Sequence, residues 1–322
     1  MNNTNSAKVI SIINWKGGVG KTTCAVNLAA EWALKNFNTL LIDIDPQASA
    51  SAYLYTDVNY RNEYYNPISN ALKTRKEEEV AKKIAITKSV FGIFWDVIKD
   101  EFNFSKEDGI KKGLGDIKTL DLLPATFYLN ELEQEISTAS STQGLSPFNI
   151  LKLGLEKHKL LDDYDFIAID CPPNLNLITL NAVFASDYYL IPTSPDQLST
   201  LGLPLLIRRL QTVKKRRIEL DGKDPKLLGI ILSKVSHQLR GIQRSWIEVQ
   251  LPWMLKRFIE DGLVWKNARL YENNIKVAVA VQRAIDESMP LCTSRQKRED
   301  VRTQFQNLAK EIIQELNEIM MI

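Results

Sequence analysis

Residues 14–23, NWKGGVGKTT, bring together the residue types that can hold a polyphosphate. Gly17, Gly18 and Gly20 leave backbone N–H groups free to turn inward on phosphate oxygens, and the helix-forming run behind them offers its positive N-terminus to the same anion. Val19 and Thr23 complete the loop, Lys21 can reach β- and γ-phosphates, and the Thr22 hydroxyl can ligate Mg²⁺. The consensus GxxxxGK[ST] is met only with its first position relaxed, because Asn14 or Trp15 stands near the expected glycine. A second lysine, Lys16, opens the loop. It cannot easily fold back on phosphates that its own loop already surrounds, which leaves it able to reach those of a neighbouring molecule.

The elements that must position this loop are legible as alternating patterns. KVISIIN, NTLLIDID, KTLDLLP, DFIAIDCPP, DYYLIPT and KLLGIILSKV are short, almost continuous apolar runs, as expected of strands covered on both faces. Helical segments such as TTCAVNLAAEWALKN and LGLPLLIRRLQTVKKRRIEL lie between them. The alternation predicts an α/β fold with a doubly wound, mostly parallel sheet flanked by helices, where ligands bind beyond the carboxyl ends of the strands. One domain over residues 1–322 is expected, with a less familiar segment at about 57–118. Near the end of the chain, Val301, Phe305, Leu308, Ile312, Leu316 and Ile319 or Met320 recur at helical spacing and predict a docked helix.

Composition narrows the classes of function. With 44% hydrophobic and 25% charged residues the chain reads as an ordinary soluble protein, and no run approaches a membrane span or signal peptide, so a cytoplasmic location is expected. The three cysteines, Cys24, Cys171 and Cys292, lack metal-ligand spacing and read as buried thiols. His158 and His237 are isolated and read as surface or satisfied residues. A net charge of +2 means that any nucleic-acid surface must be local.

KGGVGKTT resembles the deviant Walker A motif of the ParA/MinD ATPases, in which the first lysine crosses a dimer interface to the partner's nucleotide. The resemblance covers about residues 8–56 and 118–316 and implies a P-loop NTPase fold of the deviant Walker A type, with ATP and Mg²⁺ as cofactors. By that likeness Lys21 serves its own ATP and Lys16 the other subunit's. LLIDIDPQASAS is similar to the Walker A′ segment, which implies that Asp45 positions the attacking water and Asp43 lies near the metal. Carboxylates two apart at a strand end do point the same way, although turn-forming or capping aspartates would give the same pattern. YDFIAIDCPPNLN resembles Walker B and implies that Asp170 holds Mg²⁺ through water; DYYLIPTSPDQLSTLGLPLL is similar to the segment that would place Pro192 near the adenine.

The likeness is strongest to ParA-type partition ATPases. It implies a slow Mg²⁺-dependent ATPase, a homodimer with ATP sandwiched between subunits, and nonspecific DNA binding in a nucleoid-associated location. A ParB-like or other stimulating adaptor would trigger hydrolysis, and the cargo would be a plasmid or chromosome. Arg208, Arg209, Lys214, Lys215, Arg216 and Arg217 form the candidate DNA surface, with a solvated helix end as the plainer reading; Lys234, Arg240 and Arg244 form a weaker one. Alternatives are a MinD-like ATPase cycling on membrane, a positioner of a protein compartment or chemosensory array, and an electron-transfer ATPase like the nitrogenase iron protein. Glu311, Glu315 and Glu318 on the last helix argue against stable membrane association, and scattered cysteines argue against a bridging cluster.

Overall fold

The computed structural model describes residues 6–55, 74–236, 238, 241–295 and 299–320. VNYRNEYYNP, His237 and Arg240 lie outside the described residues. The strands are β1 (Lys8–Ile12), β2 (Thr39–Asp43), β3 (Leu120–Leu123), β4 (Phe166–Asp170), β5 (Tyr188–Thr193), β6 (Lys226–Leu232) and β7 (Arg269–Leu270). They form one parallel sheet in the order β3-β2-β4-β1-β5-β6-β7. The six apolar runs of the sequence are its first six strands. The two-residue β7 is too short to leave a periodic signal.

The helices that matter for the site are α1 (Lys21–Leu34), α2 (Ser49–Leu54), α3 (Arg75–Lys88), α4 (Val90–Ile98), α5 (Leu132–Gln143), α6 (Ile150–Lys157), α7 (Leu177–Ala185), α8 (Gln197–Asp221), α9 (Leu251–Glu260), α10 (Val279–Asp286) and α11 (Glu299–Met320). Alternate strand residues feed two cores. Val9, Leu40, Ile42, Ile167 and Ile169 pack on one face with side chains from α3 to α9, while Ile10, Ile12, Leu41 and Ala168 pack on the other with α1, α2, α10 and α11. This is the doubly wound α/β architecture expected of the sequence.

The segment after α2 is less obscure than its sequence. Thr74 and Glu77 form a reciprocal capping box at the start of α3, and Ser89 caps α4. His158 is buried behind α4, with Nε2 3.0 Å from Asp96 Oδ2 and the rings of Phe102 and Phe104 beside it. On α11, Val301, Phe305, Leu308, Ile312 and Leu316 are buried and the helix packs on α1. Glu315, one of the three glutamates noted on this helix, does not lie on its exposed face. It is buried, accepts a hydrogen bond from Tyr271 Oη at 2.8 Å, and faces Arg269 at 3.3 Å.

Beside the register shift in β5, Gly229 lets β6 and β7 approach. A Cβ there would lie 2.7 Å from the Arg269 carbonyl and 2.5 Å from the Tyr271 ring. Gly229→Ala is expected to lower the unfolding free energy by about 1–3 kcal/mol through this overpacking. Urea denaturation checks it, and an unchanged midpoint would show that the edge strand simply moves aside.

Candidate nucleotide site

The loop after β1 sits at the point where the chain's windings diverge, since β1 lies between β4 and β5 in the sheet. Asn14 anchors its start: Nδ2 donates to the Pro192 carbonyl at 2.7 Å, and Oδ1 accepts the Lys16 N–H at 2.9 Å. Ser233, at the end of β6, holds its middle by donating from Oγ to the Val19 carbonyl at 2.5 Å. Gly18 and Gly20 adopt φ of 73° and 81°, a left-handed backbone that a side chain resists, and Gly20 then opens α1. Lys21 is buried, and its Nζ donates to the Lys16 carbonyl at 3.0 Å. Burial pushes its pKa down, and Asp170, Cys171 and Asp45 pull it back up. An ammonium so placed gains from any phosphate that enters.

Asp43 and Asp170 face one another at the ends of adjacent strands, paired in register and both fully buried. Both carboxyls are pushed above the usual carboxylate range, by burial first; for Asp170 the neighbouring Asp43 is the next cause. Their surroundings differ sharply. Asp43 Oδ2 accepts from the Ser51 N–H at 2.8 Å and its hydroxyl at 2.7 Å, and Oδ1 accepts the Asp45 N–H at 3.0 Å. Both oxygens of Asp43 thus help to hold Asp45 and α2 in place, beside the Asp170 carboxyl where the metal is expected. Among the described residues, neither oxygen of Asp170 has a hydrogen-bond partner. The Thr22 hydroxyl and the Lys21 ammonium still favour its charged form. A buried carboxylate without a donor, beside a hydroxyl at the foot of a phosphate loop, fits a hydrated Mg²⁺. No three acidic, histidine or cysteine side chains converge as a cage among the described residues.

A cavity of 560 Å³ opens over the loop, lined by Gly17, Gly18, Gly20, Lys21, Thr22, Thr23 and Asp45 and roofed by Tyr53 of α2 and Gln282 of α10. Asp45 lines it with a carboxyl that burial raises, and its Oδ1 accepts the Gln47 N–H at 2.9 Å. A second cavity of 310 Å³ adjoins it, lined by Gly20, Thr23, Cys24, Ser233, Lys234, Ile275, Val277, Val281 and Gln282. Pro192 lines neither cavity: it is buried in β5 against β6, and its carbonyl serves Asn14. The second chamber has a mixed polar and apolar wall. Its residues come from β6 and the approach to α10, too far apart in sequence for a local motif. Lys234 at its mouth holds φ of 54°, the one nearby hint of a special loop.

Comparison with known proteins agrees with this geometry. The AAA-domain family model AAA_31 matches residues 7–221. The sporulation initiation inhibitor protein Soj of Bacillus subtilis is 34% identical over 208 residues, 65% of this chain and 66% of Soj. The chain belongs to the ParA/MinD family of P-loop ATPases. The chromosome partitioning protein ParA of Myxococcus xanthus is 29% identical over 76% of this chain and 72% of its own. Among solved structures, apo McdA of Cyanothece superposes with a TM-score of 0.68 at 20% identity, covering 95% of this chain and 99% of McdA. A plasmid partition protein of Borrelia burgdorferi bound to AMPPNP superposes at 0.58 and 21% identity, covering 96% and 98%.

For a ParA/MinD protein the surface helix α8 invites a DNA reading, and the structure trims it. Arg217 is 2% exposed, its guanidinium donating to the Phe184 and Ser186 carbonyls and pairing with Asp221 at 3.2 Å. It is a buried tie between α7 and α8 and cannot touch DNA. Lys214 is mostly covered and lies 3.3 Å from Asp224, while Arg216 pairs with Glu219 at 3.1 Å. Arg208, Arg209, Lys215 and Arg216 are exposed. Lys16 sits apart from the cavities, its ammonium turned to Asp196 at 2.8 Å.

The buried Asp170 gives this site a pH signature. Its folded pKa is raised, so between the ordinary value and the raised one the folded state binds more protons, and stability falls as pH rises. Without nucleotide, Asp170→Asn is expected to raise stability by about 1–3 kcal/mol at pH 8, with the gain shrinking toward pH 5. Thermal melts across that range check it, and a variant less stable at pH 8 would contradict the orphan-carboxylate account.

Proposed function

We propose that this ParA/MinD protein is an ATP-dependent dimerisation switch that binds nonspecific DNA and positions or segregates a plasmid or chromosome. The observation that carries the reading is the division of labour between two lysines of one loop. Lys21 is buried within the phosphate cavity, while the Lys16 side chain leaves it for the surface. A sandwich dimer uses that arrangement, with each Lys16 completing the partner's site. Mg²⁺ would be held by the Thr22 hydroxyl and, through water, by Asp170, and would supply charge neutralisation on the phosphate oxygens. Asp43 fixes the turn that aims Asp45 into the cavity. Asp45 then orients the attacking water and takes up its proton.

Hydrolysis is slow, because ATP binding energy goes into joining subunits, and a ParB-like or other adaptor accelerates it. The exposed Arg208, Arg209, Lys215 and Arg216 of α8 are the DNA contacts in this reading, reading phosphate charge and no sequence. The protein then works in the cytoplasm on the nucleoid. Membrane cycling is disfavoured by α11, whose apolar face is already spent on α1.

DNA binding measured with ATP, ADP and no nucleotide at two salt concentrations tests the reading. Binding is expected only with ATP, falling steeply with salt, and lost both in Lys21→Ala, which cannot hold nucleotide, and in Lys16→Ala, which cannot complete a dimer. Charge reversal at Arg208 and Arg209 is expected to weaken DNA binding at least tenfold with dimerisation intact. A protein that dimerises with ATP yet ignores DNA at low salt would overturn the DNA part and keep the switch.

A further inference from the structure

The Lys16 side chain is already engaged within its own chain. Its Nζ lies 2.8 Å from Oδ1 of Asp196, the residue directly before α8. Asp196 is itself pinned: Oδ2 accepts from Ser194 Oγ at 2.5 Å, and its N–H donates to the Ser194 carbonyl at 2.8 Å. The main chain of Lys16 meanwhile serves the loop, taking the Asn14 bond and accepting from Lys21. The pair stands where another molecule could approach, with side chains 37% and 42% exposed. Trp15 next to Lys16 in the chain and Leu201 and Leu205 on the first turns of α8 are also exposed.

We infer that the Lys16–Asp196 ion pair is an internal latch, which holds Lys16 on its own subunit until a second ATP-loaded copy of this chain draws it across. The inference rests on the dimer reading given above and adds its regulation. One ammonium cannot serve both partners at full strength. In the single chain it faces the half-exposed Asp196 carboxylate, a pairing that water and salt weaken. At a dimer interface it would meet a triphosphate in a drier setting, where charge-assisted hydrogen bonds are stronger. Loss of the γ-phosphate removes that advantage, and Asp196 recaptures the lysine. The latch therefore biases the lone and ADP-bound states against pairing, and a two-fold dimer must open two of them.

Asp196→Asn tests this, since it removes the charge while keeping the size of the side chain. Asp196→Ser is the second variant, also neutral and also a good residue before a helix. The dimer fraction of the full chain is measured by sedimentation velocity with Mg²⁺ and a non-hydrolysable ATP analogue across protein concentrations. Both variants are expected to reach half-dimerisation at about three- to tenfold lower protein concentration than the unmodified protein, two weak pairs having been removed. Binding of a fluorescent ATP analogue to the dilute single chain is expected to stay unchanged, because Asp196 does not line the nucleotide cavity. Half-dimerisation at the same or a higher concentration in both variants, with nucleotide binding intact, would overturn the latch and leave the dimer switch standing. Absence of any dimer in the unmodified protein and both variants would overturn the switch and the latch together.

Discussion

Two carboxylates buried side by side at the ends of adjacent strands set the terms for everything above them. Asp43 and Asp170 share a dry interior in which their negative charge is unwelcome, and the protein resolves the problem differently for each. Asp43 is neutralised locally by three donors from Asp45 and Ser51. Asp170 is acted on by Thr22 and Lys21 but has no hydrogen-bond donor on either oxygen among the described residues, a setting that a bound cation would relieve. That setting explains why the loop above it is built of glycine backbone and lysine, and why the helix behind the loop points its N-terminus inward.

The sheet delivers these groups together because its carboxyl ends converge where β1 separates the two windings. Side chains then pin each converging segment to the next. Asn14 ties the loop to β5, Ser233 ties it to β6, and the Ser51 hydroxyl both donates to Asp43 and accepts the Ala125 N–H at 3.1 Å beyond β3. The result is a floor fixed from below and a roof of short helices, α2 and α10, packed on each other above it. Preorganisation of this kind lets the γ-phosphate, and not the empty site, decide whether two chains can meet.

What the sequence made legible was what lies contiguous along it. The phosphate loop and the first six strands could be read because each is a short run with its own chemistry or period. The chamber beside the loop could not, because Ser233, Ile275 and Gln282 become neighbours only through the fold. The hydrogen bonds of Asp43 were not legible because strand-end geometry fixes direction but not partners, and Ser51 reaches it from a helix eight residues on. Arg217 was readable and was misjudged: Leu206, Leu210 and Val213 precede it at helical spacing on the buried stripe of α8, so its place in the period outweighed its charge. Glu315 followed the same logic on α11, where the nearest partners, Tyr271 and Arg269, are distant in sequence.

The central claim is that Lys16 acts on the partner's nucleotide, and mixing two inactive variants addresses it most directly. Lys16→Ala retains Asp45, and Asp45→Ala retains Lys16, so a mixed dimer holds one complete site only if the lysine works across the interface. Steady-state ATP hydrolysis with Mg²⁺ and DNA is measured for each variant alone and for an equal mixture. Near-background turnover is predicted for each alone and a turnover well above both for the mixture, set by the share of mixed dimers, each of which has one competent site. A mixture as inactive as its components, with mixed dimers demonstrably formed, would place Lys16 in its own subunit's site and contradict the account.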